Sequence, residues 1–235
     1  MSTDLPRRAT AEALGTGLLV MAVVGSGIAA SRLSPGDTGL QLLQNAAATA
    51  AALVAIILAV GPVSGAHLNP VVTLANRALG AMSNREAAAY VAAQVAGGAA
   101  GAVVANVMFS VGPVTMATTD RSSPALWTSE IVATFGLLLV IFGVVRSGRA
   151  SVAPFAVGAY IGGAYFFTSS TSFANPAVTV ARALSDTFAG ISPGSVPAFV
   201  TAQLVGAALA VATVAYLHPA PAELAADTVL PRPGD

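Results

Sequence analysis

The chain has 235 residues, 55% of them hydrophobic and only 9% charged, against roughly 25% charged in an ordinary soluble domain. Ten basic and ten acidic side chains leave no net charge, so nothing points to a nucleic-acid partner. With no cysteine, disulfides, thiolate catalysis and cysteine metal sites are excluded. What remains is the composition of an all-α membrane protein whose main surroundings are the lipid bilayer.

The opening stretch, MSTDLPRRATAEALGTGLLVMAVVGSGIAA, places two arginines before an apolar run, as a signal peptide does. It also carries Glu12 inside the apolar pattern and is as long as the later runs, which favours a first membrane helix over about 9–30. Further spans are expected over about 40–61, 84–109, 125–146, 151–170 and 195–217, each near the roughly 20 residues that a helix needs to cross the hydrocarbon. Two shorter apolar pieces, about 70–79 and 176–185, each follow an Asn-Pro pair: Asn69-Pro70 in AHLNPVVTLAN and Asn175-Pro176 in SFANPAVTVAR. The Pro-rich end, 218–235, reads as a disordered tail.

The two halves align. Glu12 in AEALGTGLLV answers Glu130 in SEIVATFGLLLV, Asn69 answers Asn175, and Gln94 in AAQVAGG answers Gln203 in TAQLVGA. One membrane domain over 1–217 thus contains repeat one, about 9–110, and repeat two, about 125–217. Three spans per repeat make the second enter from the opposite side, an inverted-topology repeat. With the N-terminus inside, Arg7, Arg8, Arg77, Arg85, Arg146, Arg149 and Arg232 face the cytoplasm and Arg32, Arg121 and Arg182 face out. That bias puts both termini on the cytoplasmic side of a multi-pass protein of the cell membrane.

A helix of about ten residues is about 15 Å long, half the hydrocarbon thickness, so neither short piece crosses alone. Entering from opposite faces, the two meet at the midplane, each with Asn at the N-cap and Pro at the first helical position. An Asn oxygen caps the helix while its NH₂ points away as a donor, which Asp does not offer. The loops before them are irregular backbone at membrane depth, which must be buried in protein or line a cavity. In a pore, Gly65, Ala66 and His67 on one side and Thr171, Ser172 and Phe173 on the other would present acceptor carbonyls, with Asn69 and Asn175 as central donors. The positive ends of both half-helices would repel cations there.

With these residues the chain resembles the aquaporin and aquaglyceroporin family from Ala9 to about Leu217. SGAHLNPVVTLA is similar to the first signature of that family, with Val71 where Ala is usual, and NPAVTVA to the second as far as Ala177. The resemblance implies six transmembrane helices plus two re-entrant half-helices, one pore per subunit and a homotetramer. It implies that Glu12 and Glu130 are structural braces for the re-entrant loops; Gln94 and Gln203 are read as bracing between helices. His67 has no second ligand beside it in the motif and is read as a pore-lining backbone position. Carried over by offset from the two asparagines, the selectivity filter is Thr49, Gly163, Ser172 and Val178, where water-selective members place a histidine, an aromatic and an arginine. Thr179 stands where glycerol facilitators carry aspartate. This arginine-free, all-small filter resembles that of channels associated with bacterial arsenic resistance, implying arsenite or related arsenicals as cargo, with glycerol and water beside them. Arg182, four residues after Val178, is expected either in the outer vestibule or in an exposed pair with Asp186.

The expected partners are small neutral solutes and lipid; no cofactor, metal site or catalytic constellation is expected. Two rival classes are a coupled secondary transporter, which needs a titratable or ion-binding group at the midplane, and a closed-pore structural membrane protein.

Overall fold

The computed structural model describes residues 4–217; the disordered tail expected over 218–235, and Arg232 with it, lies outside the described residues. Among the described residues eight α-helices follow one another: α1 Leu5–Leu33, α2 Thr38–Ser64, α3 Pro70–Ala78, α4 Asn84–Met108, α5 Pro124–Arg146, α6 Ala153–Phe167, α7 Pro176–Arg182 and α8 Val196–Leu217. Six of these, α6 and α8 with their short 3₁₀ lead-ins, are long and apolar enough to cross a membrane. The two short ones, α3 and α7, follow the two Asn-Pro pairs.

The helix ends follow from local chemistry. Asp37, Ser83 and Ser123 cap α2, α4 and α5 through their side chains, and Ser83 with Glu86 forms a reciprocal capping box. Gly65, with φ at 83°, ends α2 in the left-handed region. The expected piece 176–185 stops early, at Arg182, where the N–H groups of Ala183 and Leu184 turn to the carbonyls of Val180 and Ala181 three residues back and close the helix. Thr115 and Ala117, on the long α4–α5 connection, donate their N–H groups to the carbonyls of Leu184 and Ala183.

The main contacts are α1 on α4 and on α2, α5 on α8 as the repeat-two counterpart of α1 on α4, and α2 on α6, which joins the halves. The α1–α4 and α5–α8 pairs each depend on a glycine. A Cβ on Gly97 of α4 would strike the backbone carbonyl of Ala13 on α1, and one on Gly206 of α8 would strike that of Ile131 on α5. Each glycine lies three residues after its repeat's glutamine, so the two close crossings are related by the same repeat as the polar braces. Between helices that lipid solvates as well as they solvate each other, such backbone approach is what packing has to offer. Leu14, Leu58, Val107, Phe155 and Leu209 are exposed, an outer surface suited to hydrocarbon.

Gly97→Ala is expected to destabilise the bundle by about 1–3 kcal/mol through overpacking at the α1–α4 crossing. Gly143→Ala, where an added Cβ meets nothing within 4 Å, should leave stability unchanged or slightly raised. Thermal unfolding of the two detergent-solubilised variants beside the parent checks this, and equal midpoints would rule out the crossing as a constraint.

Candidate solute pore

Between Ser64 and α3, and between Phe167 and α7, the backbone leaves the helix and turns repeatedly into the left-handed region. Ala66 and Leu68 have φ of 48° and 52°, and Ser172 and Ala174, their counterparts, 50° and 46°. Non-glycine residues held there cost of order 1–3 kcal/mol each and persist only when their surroundings over-determine them. The over-determination is visible. Glu12, fully buried, accepts from the backbone N–H of His67 at 3.0 Å and Leu68 at 2.7 Å, from Ser64 Oγ at 2.6 Å and from Gln94 Nε2 at 2.8 Å. Glu130 accepts from the N–H of Phe173 at 2.9 Å and Ala174 at 2.8 Å and from Gln203 Nε2 at 2.7 Å. The two glutamines also donate to Thr73 and Thr179, one turn into α3 and α7. A carboxylate, acceptor-only with two oxygens, fits such converging donors.

At the junction, the two asparagines trade contacts. Asn69 Nδ2 donates to the carbonyl of Ala174 at 2.7 Å, and Asn175 Nδ2 to that of Leu68 at 2.8 Å. Their Oδ1 atoms cap their own helices, Asn69 on Val71 N and Asn175 on Ala177 N and Val178 N. Each amide therefore retains one N–H beyond these contacts, and both residues line a central cavity.

The lining of that cavity is apolar where Leu19 and Val23 of α1, Ile57 of α2 and Leu137 and Ile141 of α5 meet it, and it includes the two loop stretches Ala66 to Asn69 and Ser172 to Asn175. Three placements differ from the offsets used on the sequence. Gly65 and Thr171, expected in the ladder, do not line the cavity, Gly65 being the C-cap of α2; Leu68 and Ala174 do line it, but their carbonyls accept from the asparagine amides. Gly163 is exposed and away from the cavity, whereas Tyr165, buried on the Val157–Ile161–Tyr165 face of α6, lines it and donates to Thr49 Oγ1 at 3.2 Å. Arg182 is 2% exposed and lines the cavity with Thr49, Ser172 and Val178, so the lining is not arginine-free. Its exposed pair with Asp186 does not form: Asp186 accepts instead from the backbone and hydroxyl of Thr118. His67 lines the cavity and places Nδ1 3.0 Å from Thr73 Oγ1.

Beyond Arg182, Arg121 of the α4–α5 connection donates to the carbonyl of Gly190 and lies 5.1 Å from the centre of the Phe173 ring. Burial pulls its guanidinium below the usual value, against the pull of Glu130 and Tyr165. At the opposite face, Arg8 bonds Glu86 at 2.9 Å and Tyr90 at 2.7 Å, and Tyr90 in turn donates to the carbonyl of Ser64. That chain ties the start of α1 to the end of α2.

A sequence model of the Major intrinsic protein family matches residues 1–174. The chain is also 52% identical over 214 residues to Aquaglyceroporin AqpS of Rhizobium meliloti, covering 91% of each protein. It belongs to the major intrinsic protein family. Aquaporin AqpM of Methanothermobacter marburgensis is a more distant relative, 30% identical over 91% of this chain and 98% of that protein. The aquaglyceroporin of Plasmodium falciparum shares the fold with a TM-score of 0.75 at 21% identity, covering 92% of this chain and 98% of its own. This major intrinsic protein is a multi-pass membrane channel and not an enzyme.

Asn175→Asp removes the donor that meets the Leu68 carbonyl and sets a carboxylate against that oxygen. We expect the variant to lose about 1–3 kcal/mol of stability from the unsatisfied carbonyl and to lower solute flux. Unchanged flux at normal yield would leave the asparagine a helix cap only.

Proposed function

We propose that this channel conducts small uncharged polyhydroxy solutes passively, with arsenite and related arsenicals, glycerol and water as its candidate cargo. The reading takes Asn69 and Asn175 as the pore centre, Glu12, Glu130, Gln94 and Gln203 as braces, and Thr49, Tyr165, Ser172, Val178 and Arg182 as the filter region. The observation that carries it is the reciprocal pair of asparagine amides, each with one donor left at a cavity lined by apolar helix residues and by the two loop stretches. A solute that sheds water there meets acceptors and donors in sequence, so its desolvation cost is offset step by step. Val178, where a bulky cation would narrow the path, leaves room for a solute larger than water.

Among the described residues no aspartate or glutamate lines the cavity, so no carboxylate faces the asparagine junction to bind a driving ion, which favours passive flow over coupled transport. By connectivity, Arg7, Arg8, Arg77, Arg85, Arg146 and Arg149 lie at the face where α1 begins, against Arg32 and Arg121 at the other. This asymmetry supports cytoplasmic termini in the cell membrane. The family fold supports a homotetramer with one pore per subunit.

Stopped-flow flux of arsenite, glycerol and water in proteoliposomes tests the reading, since a channel for water alone, or none at all, contradicts it. Val178→Arg should cut glycerol and arsenite flux at least about tenfold, as about 1.4 kcal/mol of added barrier suffices for that, while water still passes. Equal fluxes of all three in variant and parent would remove Val178 from the constriction.

A further inference from the structure

Val178 leaves the first turn of α7 without charge, yet one turn later Arg182 brings the only permanently charged side chain of the cavity lining. Its Nε donates to the carbonyl of Ala189, and its guanidinium carbon stands 3.4 Å from the centre of the Phe173 ring. The plane is thus held by a hydrogen bond and a stacked ring. Its terminal nitrogens have no hydrogen-bond partner among the described residues, and the only ion pair among those residues is Arg8 with Glu86. On the same side, Ser172 is 4% exposed, lines the cavity, and carries an Oγ with no hydrogen-bond partner among the described residues. A buried hydroxyl without a partner costs about 1–3 kcal/mol, and one facing a cavity is satisfied by whatever enters it.

We propose that Arg182 and Ser172 form a binding subsite for the oxygens of a polyhydroxylated solute, and that Arg182, seven residues after Asn175, is the charge that bars cations from this pore. The proposal rests on the neutral-solute reading above and names the side chains that select within it. A guanidinium only donates, whereas a serine hydroxyl both donates and accepts. The preferred solute therefore has one oxygen to accept from Arg182 and a neighbouring hydroxyl to exchange with Ser172, as vicinal diols and compact trihydroxy solutes have. Its carbon face lies against Val178. A bare amide or a single water satisfies only part of this set. In a buried, weakly screened setting the same guanidinium raises the potential against any cation, and Arg121, 5.1 Å from the centre of the same Phe173 ring, adds to it.

Three readouts in proteoliposomes test this: glycerol flux, water flux, and the collapse of an imposed potassium or proton gradient. In Arg182→Ala the glycerol-to-water flux ratio should fall about tenfold, and in Ser172→Ala several-fold, as loss of a charged and a neutral hydrogen bond predicts. Arg182→Ala should also leak cations, and Val178→Arg added to it should close the leak. Arg182→Lys keeps the charge but not the planar fork, so it should lower the ratio without leaking. If Arg182→Ala does not assemble, Ser172→Ala and Arg182→Lys decide the matter. A wild-type ratio in both, or in Arg182→Ala, overturns the subsite. An assembled Arg182→Ala that stays cation-tight overturns the barrier. Wild-type protein that passes no glycerol sinks the neutral-solute reading and the subsite with it, while the leak measurement still decides the barrier.

Discussion

The structure depends on two buried carboxylates holding two stretches of backbone open. An irregular loop at membrane depth has no water to satisfy it, and each unpaired N–H there costs several kcal/mol. Glu12 and Glu130 answer that cost from the spanning helices, each taking two consecutive loop N–H groups. Once those N–H groups point away from the cavity toward the carboxylate, the intervening left-handed residues turn the polar strip toward the open side. The strain at Ala66, Leu68, Ser172 and Ala174 is therefore bound up with the cavity's chemistry. Removing the carboxylates would let the loops relax and take the acceptors with them.

The braces work only if the helices that carry them stand close. Glu12 and Gln94 sit on α1 and α4, and Glu130 and Gln203 on α5 and α8, the pairs brought together by Gly97 and Gly206. Packing and electrostatics are thus one constraint: a bulkier residue at the crossing would lengthen the bonds that hold the loop. The helix turn separating each glutamine from its glycine puts both on one face of the helix.

Much of this was legible in the sequence because it repeats. Six apolar runs, two Asn-Pro pairs and the matched Glu and Gln positions carry a periodic signal that survives without coordinates. The cavity lining contributed by α6 was less legible, since counting back from Asn175 assumes a loop of fixed length between α6 and α7. That assumption chose Gly163, which faces outward. The helical spacing of Val157, Ile161 and Tyr165, each four residues on from the last, is the signal that pointed to the tyrosine. For Arg182 the four-residue step from Val178 correctly put the two on one face. What no spacing encodes is the connection 109–123, which folds over the end of α7 and, with Phe173 and Ala189, leaves the arginine in the wall of the cavity instead of in solvent.

The two repeats agree at their centre and part toward the filter. The glutamate, glutamine, threonine and asparagine sets superpose in kind, since every one of them serves the common problem of stabilising a half-helix in the bilayer. The residues that follow the shared scaffold are free of that problem, and there repeat one keeps His67 against Thr73 while repeat two has Phe173 beneath Arg182 and Arg121. A histidine in the repeat-two place would offer a polar ring edge. A phenylalanine offers a face, and a face is what a guanidinium stacks on. Phe173 thus brings no side-chain hydrogen bond to the strip, and its ring is the one on which the arginine rests, one turn beyond the uncharged Val178.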